Sequence, residues 1–187
     1  MKENPITIGF DDAKFDLKSS SNKFTYLIGV VCQGTRMVSV SKKKILIDGD
    51  DATEALIELA KKSQNHVQYI LTDTITFGGF NIVDLSEIYN RTNKPIIAIT
   101  ERKVDLELVK NTLIKKFPTN YQSKLQNIIN AGNLYEMEIE TAGGLSKVYF
   151  HYKGIKFEEV ILLLQNVCID SKLPEPVRLA HLIGRMF

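Results

Sequence analysis

The sequence predicts an α/β protein with a mixed sheet, in which a three-stranded antiparallel meander is followed by parallel strands and helices cover both faces. Strand-like apolar runs follow one another with short connections over residues 6–47, and helical and strand-like spacings alternate from residue 51 onwards. The run PIIAI at 95–99 is apolar on both faces. Strands that alternate with helices form parallel sheets, and a parallel strand that is buried on both faces needs helices on both sides.

The strands are short apolar runs rich in β-branched and aromatic residues, bounded by polar or glycine-containing turns. The last two are joined by a turn at Gly143 and Gly144. The strands are expected at 6–10, 25–32, 37–40 with 44–47 as one interrupted strand, 67–72, 95–99, 134–140 and 147–152.

The helices are segments whose apolar residues recur every three or four positions. Residues 52, 55, 56, 59 and 60 have this spacing, for example, and acidic residues precede them, which is typical of a helix start. The helices are expected at 51–63, 81–91, 105–117, 119–131, 156–168 and 174–185.

The composition is that of an ordinary globular chain. Of the 187 residues, 44% are hydrophobic, which is enough for one core, so we expect a single domain over residues 1–187. No run of 18 apolar residues occurs, and MKENPITIGF lacks the pattern of a secretory signal. We therefore expect a cytoplasmic protein without membrane contact, while its oligomeric state stays open.

Neither the charge nor the cysteines point to a function on their own. With 24 basic and 22 acidic residues the net charge is only +2, so any nucleic-acid-binding face must be local. Cys32 and Cys168 lie in apolar surroundings without a CxxC partner. We expect them to be free, buried side chains rather than zinc ligands.

Carboxylates follow two of the strands that are expected to be parallel. Asp11 and Asp12 end the first strand, and Asp73 follows the strand at 67–72. Ligands of α/β sheets gather at the carboxyl ends of such strands. Carboxylates brought together there repel one another unless one takes up a proton or a divalent cation binds, which favours a site for Mg²⁺ or Mn²⁺.

The segment DGDDAT at 48–53 has two possible interpretations. Asp50 or Asp51 could face the same site as the strand-end carboxylates. Alternatively, Asp48 and Gly49 form a turn and the following aspartates cap the first helix. Asp84 and Asp105 occupy helix-start positions, and we interpret both as structural.

The loop TITFGGFN at 74–81 follows Asp73 and is rich in threonine and glycine. Gly78 and Gly79 permit close approach of the backbone to a ligand, before a helix whose N-terminus could receive a phosphate. The spacing matches neither a P-loop nor a dinucleotide-binding fingerprint. Asp73 capping its own turn is the structural alternative.

Several motifs carry a resemblance to known proteins. The run LPEPVRLAH at 173–181 resembles the closing motif of endonuclease V, and the order of elements is similar to the ribonuclease H-like fold. Together, four segments spread over residues 6–183 are similar to an archaeal family catalogued as domain of unknown function 99. These segments are IGFDDAKF, DGDDAT, LTDTITFGGFN and PEPVRLAHLI.

The resemblance to endonuclease V implies metal ligands at Asp11 and Asp73. The middle acidic ligand, a glutamate in that family, falls nearest to Asp51 or Asp50, which are shorter by one methylene group. Where endonuclease V has a glycine, histidine and proline-arginine segment after its aspartate, this chain has Thr74 to Phe77; its own family usually has glycine at position 74. No aromatic-rich wedge is recognisable, so inosine specificity does not carry over.

The resemblance also implies roles for three basic or titratable side chains. Arg102 or Lys103 matches the basic residue that neutralises the scissile phosphate. His181 falls at an aspartate-or-histidine position and is implied to be a metal ligand or a proton donor. A histidine on a helix face with a satisfied hydrogen bond is the structural alternative.

Three hypotheses follow. The first is a Mg²⁺- or Mn²⁺-dependent phosphodiester hydrolase acting on single-stranded or structured nucleic acid, with five catalytic residues: Asp11, Asp51, Asp73, His181 and Lys103. The second is a non-catalytic nucleic-acid or nucleotide-binding module. The third is a protein-interaction subunit whose acidic residues are only caps and turns.

If the protein binds nucleic acid or a nucleotide, six residues are expected to contact this ligand: Arg102, Phe77, Gly78, Gly79, Phe80 and Asn81. Lys42 to Lys44 would add phosphate contacts in the second, although a solvated strand edge is their alternative role.

Overall fold

The computed structural model describes residues 3–16, 23–63 and 65–187. The chain forms nine strands and six helices in these ranges. The strands are β1 (Ile6–Asp12), β2 (Phe24–Gln33), β3 (Arg36–Leu46), β4 (Tyr69–Asp73), β5 (Thr76–Phe77), β6 (Asn81–Ile82), β7 (Ile96–Thr100), β8 (Tyr135–Thr141) and β9 (Gly144–Lys153). The helices are α1 (Ala52–Lys62), α2 (Leu85–Thr92), α3 (Leu106–Lys116), α4 (Tyr121–Ala131), α5 (Phe157–Val167) and α6 (Glu175–Gly184).

Seven of the strands form one mixed sheet in the order β3-β2-β1-β4-β7-β9-β8. The first three strands pair antiparallel as a meander, and β4 and β7 run parallel to β1. The pair β8 and β9 extends the sheet on the far side of β7 in antiparallel pairing. The predicted fold class is confirmed.

Helices cover both faces of this sheet because its central strands are apolar on both sides. Ile70 and Ile96 face one core, which α1, α2 and the end of α4 close. Their neighbours Leu71 and Ile97 face a second core, closed mainly by α5. Helix α6 packs beside this second core, across β1 and β2.

The helix predicted at 81–91 begins later than expected. Residues 76–77 and 81–82 pair instead as the small hairpin β5–β6, and α2 starts at Leu85. Asp84 sets this start, because its side chain accepts hydrogen bonds from the backbone N–H groups of Ser86 and Glu87. The N-terminus of α2 is therefore occupied by a side chain of the protein, and it offers no phosphate site of the kind expected.

The third strand is continuous where an interruption was expected. Lys42 and Lys44 lie on one side of β3, with their ammonium groups over the rings of Tyr26 and Phe24 respectively. Lys43 points to the other side and forms an ion pair with Glu58 of α1. Their stems cover apolar surface along an edge strand, so the lysine run fits the structural alternative better than a phosphate site.

Two further expectations concern the cysteines and membrane contact. Cys32 and Cys168 are free and buried, as expected, and burial raises the pKa of both thiols. In the ranges that the structure describes, no helix is both long and apolar enough to cross a membrane.

Candidate metal centre

Two strand ends and the last helix bring three potential metal ligands together. Asp11 lies near the end of β1 and Asp73 ends the neighbouring parallel strand β4, while His181 lies on α6. One ligand atom from each lies within 4.8 Å of the other two. The Nδ1 atom of His181 is 2.7 Å from Oδ2 of Asp11. We refer to Asp11, Asp73 and His181 as the Asp–Asp–His group.

The electrostatics of this group would favour a bound cation. Burial, with a smaller contribution from the Asp12 charge, raises the pKa of Asp11 to about 7. Burial also raises the pKa of Asp73 to about 7, with added repulsion from Asp11 and Glu101. A bound divalent cation would remove both penalties, and two carboxylates with one imidazole suit Mg²⁺ or, better, Mn²⁺.

Helix α6 lies close against β1 because glycines stand at both points of contact. A Cβ atom on Gly9 would lie 2.3 Å from the backbone carbon of Pro176, and one on Gly184 would lie 2.7 Å from the carbonyl oxygen of Asp12. His181 lies less than one turn before Gly184. The two close contacts therefore fix the position of α6 on β1, and with it the position of the His181 imidazole beside Asp11.

The rest of the C-terminal motif has a structural role. The buried side chain of Glu175 accepts two hydrogen bonds from the guanidinium of Arg178, both at 2.7 Å. An acidic residue in the first turn also complements the helix dipole. The glutamate and arginine of the motif thus stabilise the start of the helix that carries His181.

The turn after β4 is built from threonines. Thr74 has a φ of 57°, a backbone conformation that β-branched residues rarely adopt. Its carbonyl oxygen accepts a hydrogen bond from the Thr72 hydroxyl at 2.7 Å, and its own hydroxyl accepts one from the Thr76 backbone N–H at 3.1 Å. These bonds hold the turn that follows Asp73 and offset the strain at Thr74.

Asp51, expected as the middle metal ligand, is not brought to the Asp–Asp–His group. Its carboxylate accepts hydrogen bonds from the backbone N–H of Leu46 at 3.0 Å and from the side-chain amide of Asn81 at 2.6 Å. Asp50 instead binds the ammonium group of Lys124 at 2.6 Å. Both aspartates are tied to neighbouring chain segments, and the third position near the two strand-end carboxylates belongs to His181.

Three residues of the loop 74–81 that were expected to contact a ligand are held within the protein instead. Phe77 is fully buried. Asn81 is also buried, and its side-chain amide accepts a hydrogen bond from the Ala52 N–H and donates one to the Leu46 carbonyl oxygen. Gly78 donates its backbone N–H to Asp12 at 2.5 Å. Phe77, Gly78 and Asn81 are therefore part of the scaffold, contrary to the substrate-contact expectation.

The two basic residues expected at the phosphate lie in the connection after β7. Arg102 and Lys103 are both exposed. Lys103 lines a shallow depression with Val104 and Asp105. Neither residue lines either of the two cavities that adjoin the Asp–Asp–His group.

The first of these cavities, the basic cleft, has a volume of about 580 Å³ and includes His181 in its wall. Its other lining residues are Asp12, Ala13, Lys14, Phe15 and Arg185. Sequence reasoning missed Lys14 and Arg185, although Arg185 follows His181 by four positions and the spacing already places both on one helix face.

The second cavity, the apolar pocket, has a volume of about 260 Å³ and is lined in part by Thr74, the residue after Asp73. Its walls are mainly apolar, with three threonines and one histidine among them; they comprise Thr74, Ile75, Thr76, Gly79, Phe80, Ala98, Thr100, Val104, Val109, Ile128 and His151. Phe80 is half-buried and packs edge-to-face on Phe117. Of the expected contact residues, Gly79 and Phe80 thus line a cavity.

His151 was not singled out from the sequence because it lies within an ordinary strand pattern. Its side chain is buried, and its Nδ1 atom lies 3.0 Å from the carbonyl oxygen of Asn133, which makes Nδ1 the donor. Burial lowers the pKa of this imidazole. His151 is therefore neutral at physiological pH, with the unprotonated Nε2 as a hydrogen-bond acceptor.

Comparison with known proteins agrees with this architecture. The sequence profile of the family described as Endonuclease dU matches residues 6–187. The chain belongs to the Endonuclease dU family. Archaeal relatives include a UPF0215 protein of Thermococcus sibiricus, 36% identical with 95% of this chain and 89% of the relative covered. A UPF0215 protein of Pyrococcus horikoshii is 32% identical with 98% and 92% covered.

Solved structures place this Endonuclease dU family member among endonuclease V-like folds, as expected from its motifs. A protein of unknown function from Archaeoglobus fulgidus is similar with a TM-score of 0.82, 27% identity and 96% of each chain covered. Endonuclease V from Bacillus subtilis has a TM-score of 0.60 at 16% identity, with 96% of this chain and 78% of that chain covered. Endonuclease V of Ciona intestinalis, solved with inosine-containing DNA, has a TM-score of 0.58 at 13% identity, with 95% and 83% covered. At these identities the two endonuclease V structures show a shared fold.

Proposed function

We propose that this protein is a divalent-metal-dependent endonuclease that hydrolyses a phosphodiester bond of DNA near a deoxyuridine. The observation that carries the proposal is the Asp–Asp–His group at the ends of two parallel strands. Its carboxylates, buried Asp11 and half-buried Asp73, repel one another without a cation. The name of the family, Endonuclease dU, supports both the reaction and deoxyuridine as the target.

Asp11, Asp73 and His181 are the residues that would hold the metal. Mg²⁺ or Mn²⁺ bound there would supply positive charge that polarises the phosphate and favours ionisation of the attacking water. The Nδ1 atom of His181 is engaged by Asp11, so the ring has one nitrogen left, which would either bind the metal or, without it, carry a proton to the leaving oxygen beside the basic cleft. Asp11 then orients the imidazole ring, because its Oδ2 atom lies within hydrogen-bond distance of the His181 Nδ1 atom.

The apolar pocket supports the choice of a base as the recognised feature. Drug-sized ligands occupy pockets of roughly 300–1,000 Å³, so about 260 Å³ suits a smaller group such as one nucleobase. Enzymes that select one base commonly extrude it from the stack into such a pocket. The neutral His151 and the Thr74 and Thr100 hydroxyls give this pocket uncharged polar groups, which match the uncharged edge of uracil.

The binding-module alternative has less support. It relied on Phe77 as a stacking surface and on Lys42 to Lys44 as phosphate contacts. Phe77 is fully buried, and the three lysines lie over aromatic rings or form an ion pair with Glu58. The interaction-subunit alternative fits Asp50, Asp51 and Asp84, but it gives no reason for the clustered carboxylates of Asp11 and Asp73.

The test is cleavage of an end-labelled DNA strand that contains one deoxyuridine, with the thymidine strand of the same sequence as the substrate control. We expect Mn²⁺- or Mg²⁺-dependent cleavage of the first strand. Asp73→Asn should lower the rate at least about 100-fold, whereas Asp51→Asn, which makes the same charge change, should retain most of it. Equal cleavage of both strands would remove the deoxyuridine assignment, and a wild-type protein that neither cleaves nor binds Mn²⁺ would overturn the proposal.

A further inference from the structure

Two cavities adjoin the Asp–Asp–His group through different residues. His181 belongs to both the group and the wall of the basic cleft, whereas Thr74, directly after Asp73, lines the apolar pocket. A strand whose reacting phosphate lies at the group and whose base enters the pocket must continue through adjoining space. The cleft, at about 580 Å³, adjoins the group through His181 and offers such a space.

Two cations line this cleft and come from opposite ends of the chain. Lys14 follows β1, and its backbone N–H donates to the carbonyl oxygen of Gly184 at 3.2 Å, which fixes it beside the end of α6. Arg185 directly follows that helix and lines the same cavity as His181. Both side chains are exposed, and neither forms an ion pair with any residue in the described ranges.

The acidic residue of the wall is paired with neither cation. The carboxylate of Asp12 instead accepts a hydrogen bond from the Gly78 N–H. Phe15 is half-buried in the same wall and adds an aromatic surface beside Lys14. Cations interleaved with an aromatic ring along an open groove are what single-stranded nucleic acid binds.

We infer that the basic cleft is the track of the nucleic-acid backbone, with Lys14 and Arg185 as contacts to phosphates flanking the cleaved one. The inference rests on the proposed function and deepens it. It also transfers the phosphate-contact role from Arg102 and Lys103 to these two residues. The protein thereby holds its substrate strand between the last turn of α6 and the segment after β1.

The experiment measures binding of a fluorescently labelled single-stranded oligodeoxynucleotide by anisotropy, in EDTA and at several KCl concentrations. Each phosphate contact to a single strand contributes about 0.7 to the slope of log affinity against log salt. Lys14→Ala/Arg185→Ala should therefore lower the slope by about 1.4 and weaken binding at low salt. The control, Arg102→Ala/Lys103→Ala, removes the same charge from equally exposed positions and should change the slope much less.

The outcomes separate this inference from the proposed function. A slope unchanged in the Lys14/Arg185 variant, or lowered equally in both variants, overturns the inference even if the wild-type protein cleaves DNA. A slope lowered only in the Lys14/Arg185 variant supports it even if no cleavage is found. Inorganic phosphate at matched ionic strength should compete no better than chloride; strong displacement would mean a site for the free ion and would overturn the strand assignment. Unchanged melting temperatures confirm that both variants fold.

Discussion

The Oδ2 atom of Asp11 and the Nδ1 atom of His181 lie 2.7 Å apart, although the two residues are 170 positions apart in the chain. One belongs to the first strand and the other to the last helix. The Asp–Asp–His group therefore forms only when α6 docks onto β1. Docking in turn depends on the small residues that let the helix and the strand approach.

Gly9 is the residue on which this docking depends most directly. A Cβ atom at position 9 would lie 2.3 Å from backbone of α6, so Gly9→Ala must push the helix and His181 away from β1. We expect a loss of about 1–3 kcal/mol in the free energy of unfolding, together with weaker Mn²⁺ binding. Urea denaturation and calorimetry measure the two effects.

Gly143→Ala is the control for that substitution. Its added methyl group would meet only the Thr141 hydroxyl, at 3.7 Å, in an exposed turn. We expect stability to change by less than about 0.5 kcal/mol and metal binding to stay unchanged. Equal effects of the two substitutions would contradict the docking role of Gly9.

Asp73→Asn and Asp51→Asn should change stability in opposite directions. In the absence of metal, Asp73→Asn removes a half-buried charge that repels Asp11, and we expect stability above pH 7 to rise by about 1 kcal/mol. Asp51→Asn places an amide beside the Asn81 amide and weakens a satisfied contact, so we expect a loss of about 1–2 kcal/mol.

The measurement for this pair is denaturant unfolding at pH 8 in EDTA, followed by Mn²⁺ titration of each variant. Asp73→Asn should lose Mn²⁺ binding while Asp51→Asn keeps it. If Asp73→Asn proved destabilising and Asp51→Asn abolished Mn²⁺ binding, the assignment of Asp73 to the site and Asp51 to the scaffold would be reversed.

The metal-free protein should become less stable as the pH rises from about 4 to 7. Asp11 and Asp73 have pKa values of about 7 in the folded protein against an ordinary value of 3.8, so the folded state holds more protons than the unfolded state within this window. Stability then falls with rising pH, and the loss is complete above pH 7.

Unfolding free energies measured in EDTA should therefore decrease from about pH 4 to pH 7. Saturating Mn²⁺ should reverse this slope of stability against pH, because metal binding requires the ionised carboxylates. Asp73→Asn should flatten the slope; an unchanged slope would show that other groups cause it.

The sequence was most informative where one local rule decides the structure. Alternating apolar spacing and the order of elements predicted the sheet and its direction changes. The carboxylates of Asp11 and Asp73 could be placed because parallel strands end at the same edge. The C-terminal motif added His181, since its resemblance to a known family supplied a contact across 170 residues that no local pattern contains.

The errors arose where tertiary contacts decide the role of a side chain. The DGDDAT segment offers several aspartates with similar local positions, and only their partners Asn81 and Lys124, which lie far along the chain, separate scaffold from site. Phe77 and Asn81 lie on either side of the glycine pair Gly78 and Gly79, as ligand-binding residues often do, yet the hairpin β5–β6 turns both inward. Local chemistry alone gives no indication of that turn.

Lys124 is the buried residue whose removal should have the largest effect on this region. Its ammonium group bonds the carbonyl oxygens of Asp48, Gly49 and Phe80 and the carboxylate of Asp50, although the side chain is only 1% exposed. It shares the buried face of α4 with residues 128 and 131, a position where helical spacing would favour an apolar side chain. Lys124→Met keeps the length of the side chain but leaves three carbonyl groups without this donor, and we expect a loss of about 3 kcal/mol.

Asp50→Asn tests whether that loss comes from the carbonyl contacts or from the ion pair. The Asp50 side chain is 58% exposed, so its charge is well solvated and its removal should cost less than about 1 kcal/mol of stability.

Because Lys124 also holds the Phe80 carbonyl beside the apolar pocket, Lys124→Met should lower discrimination between deoxyuridine and thymidine strands while Asp50→Asn leaves it unchanged. Urea denaturation and paired cleavage assays measure both effects. If the two substitutions were equally destabilising, the ion pair rather than the three carbonyl contacts would be the main role of Lys124.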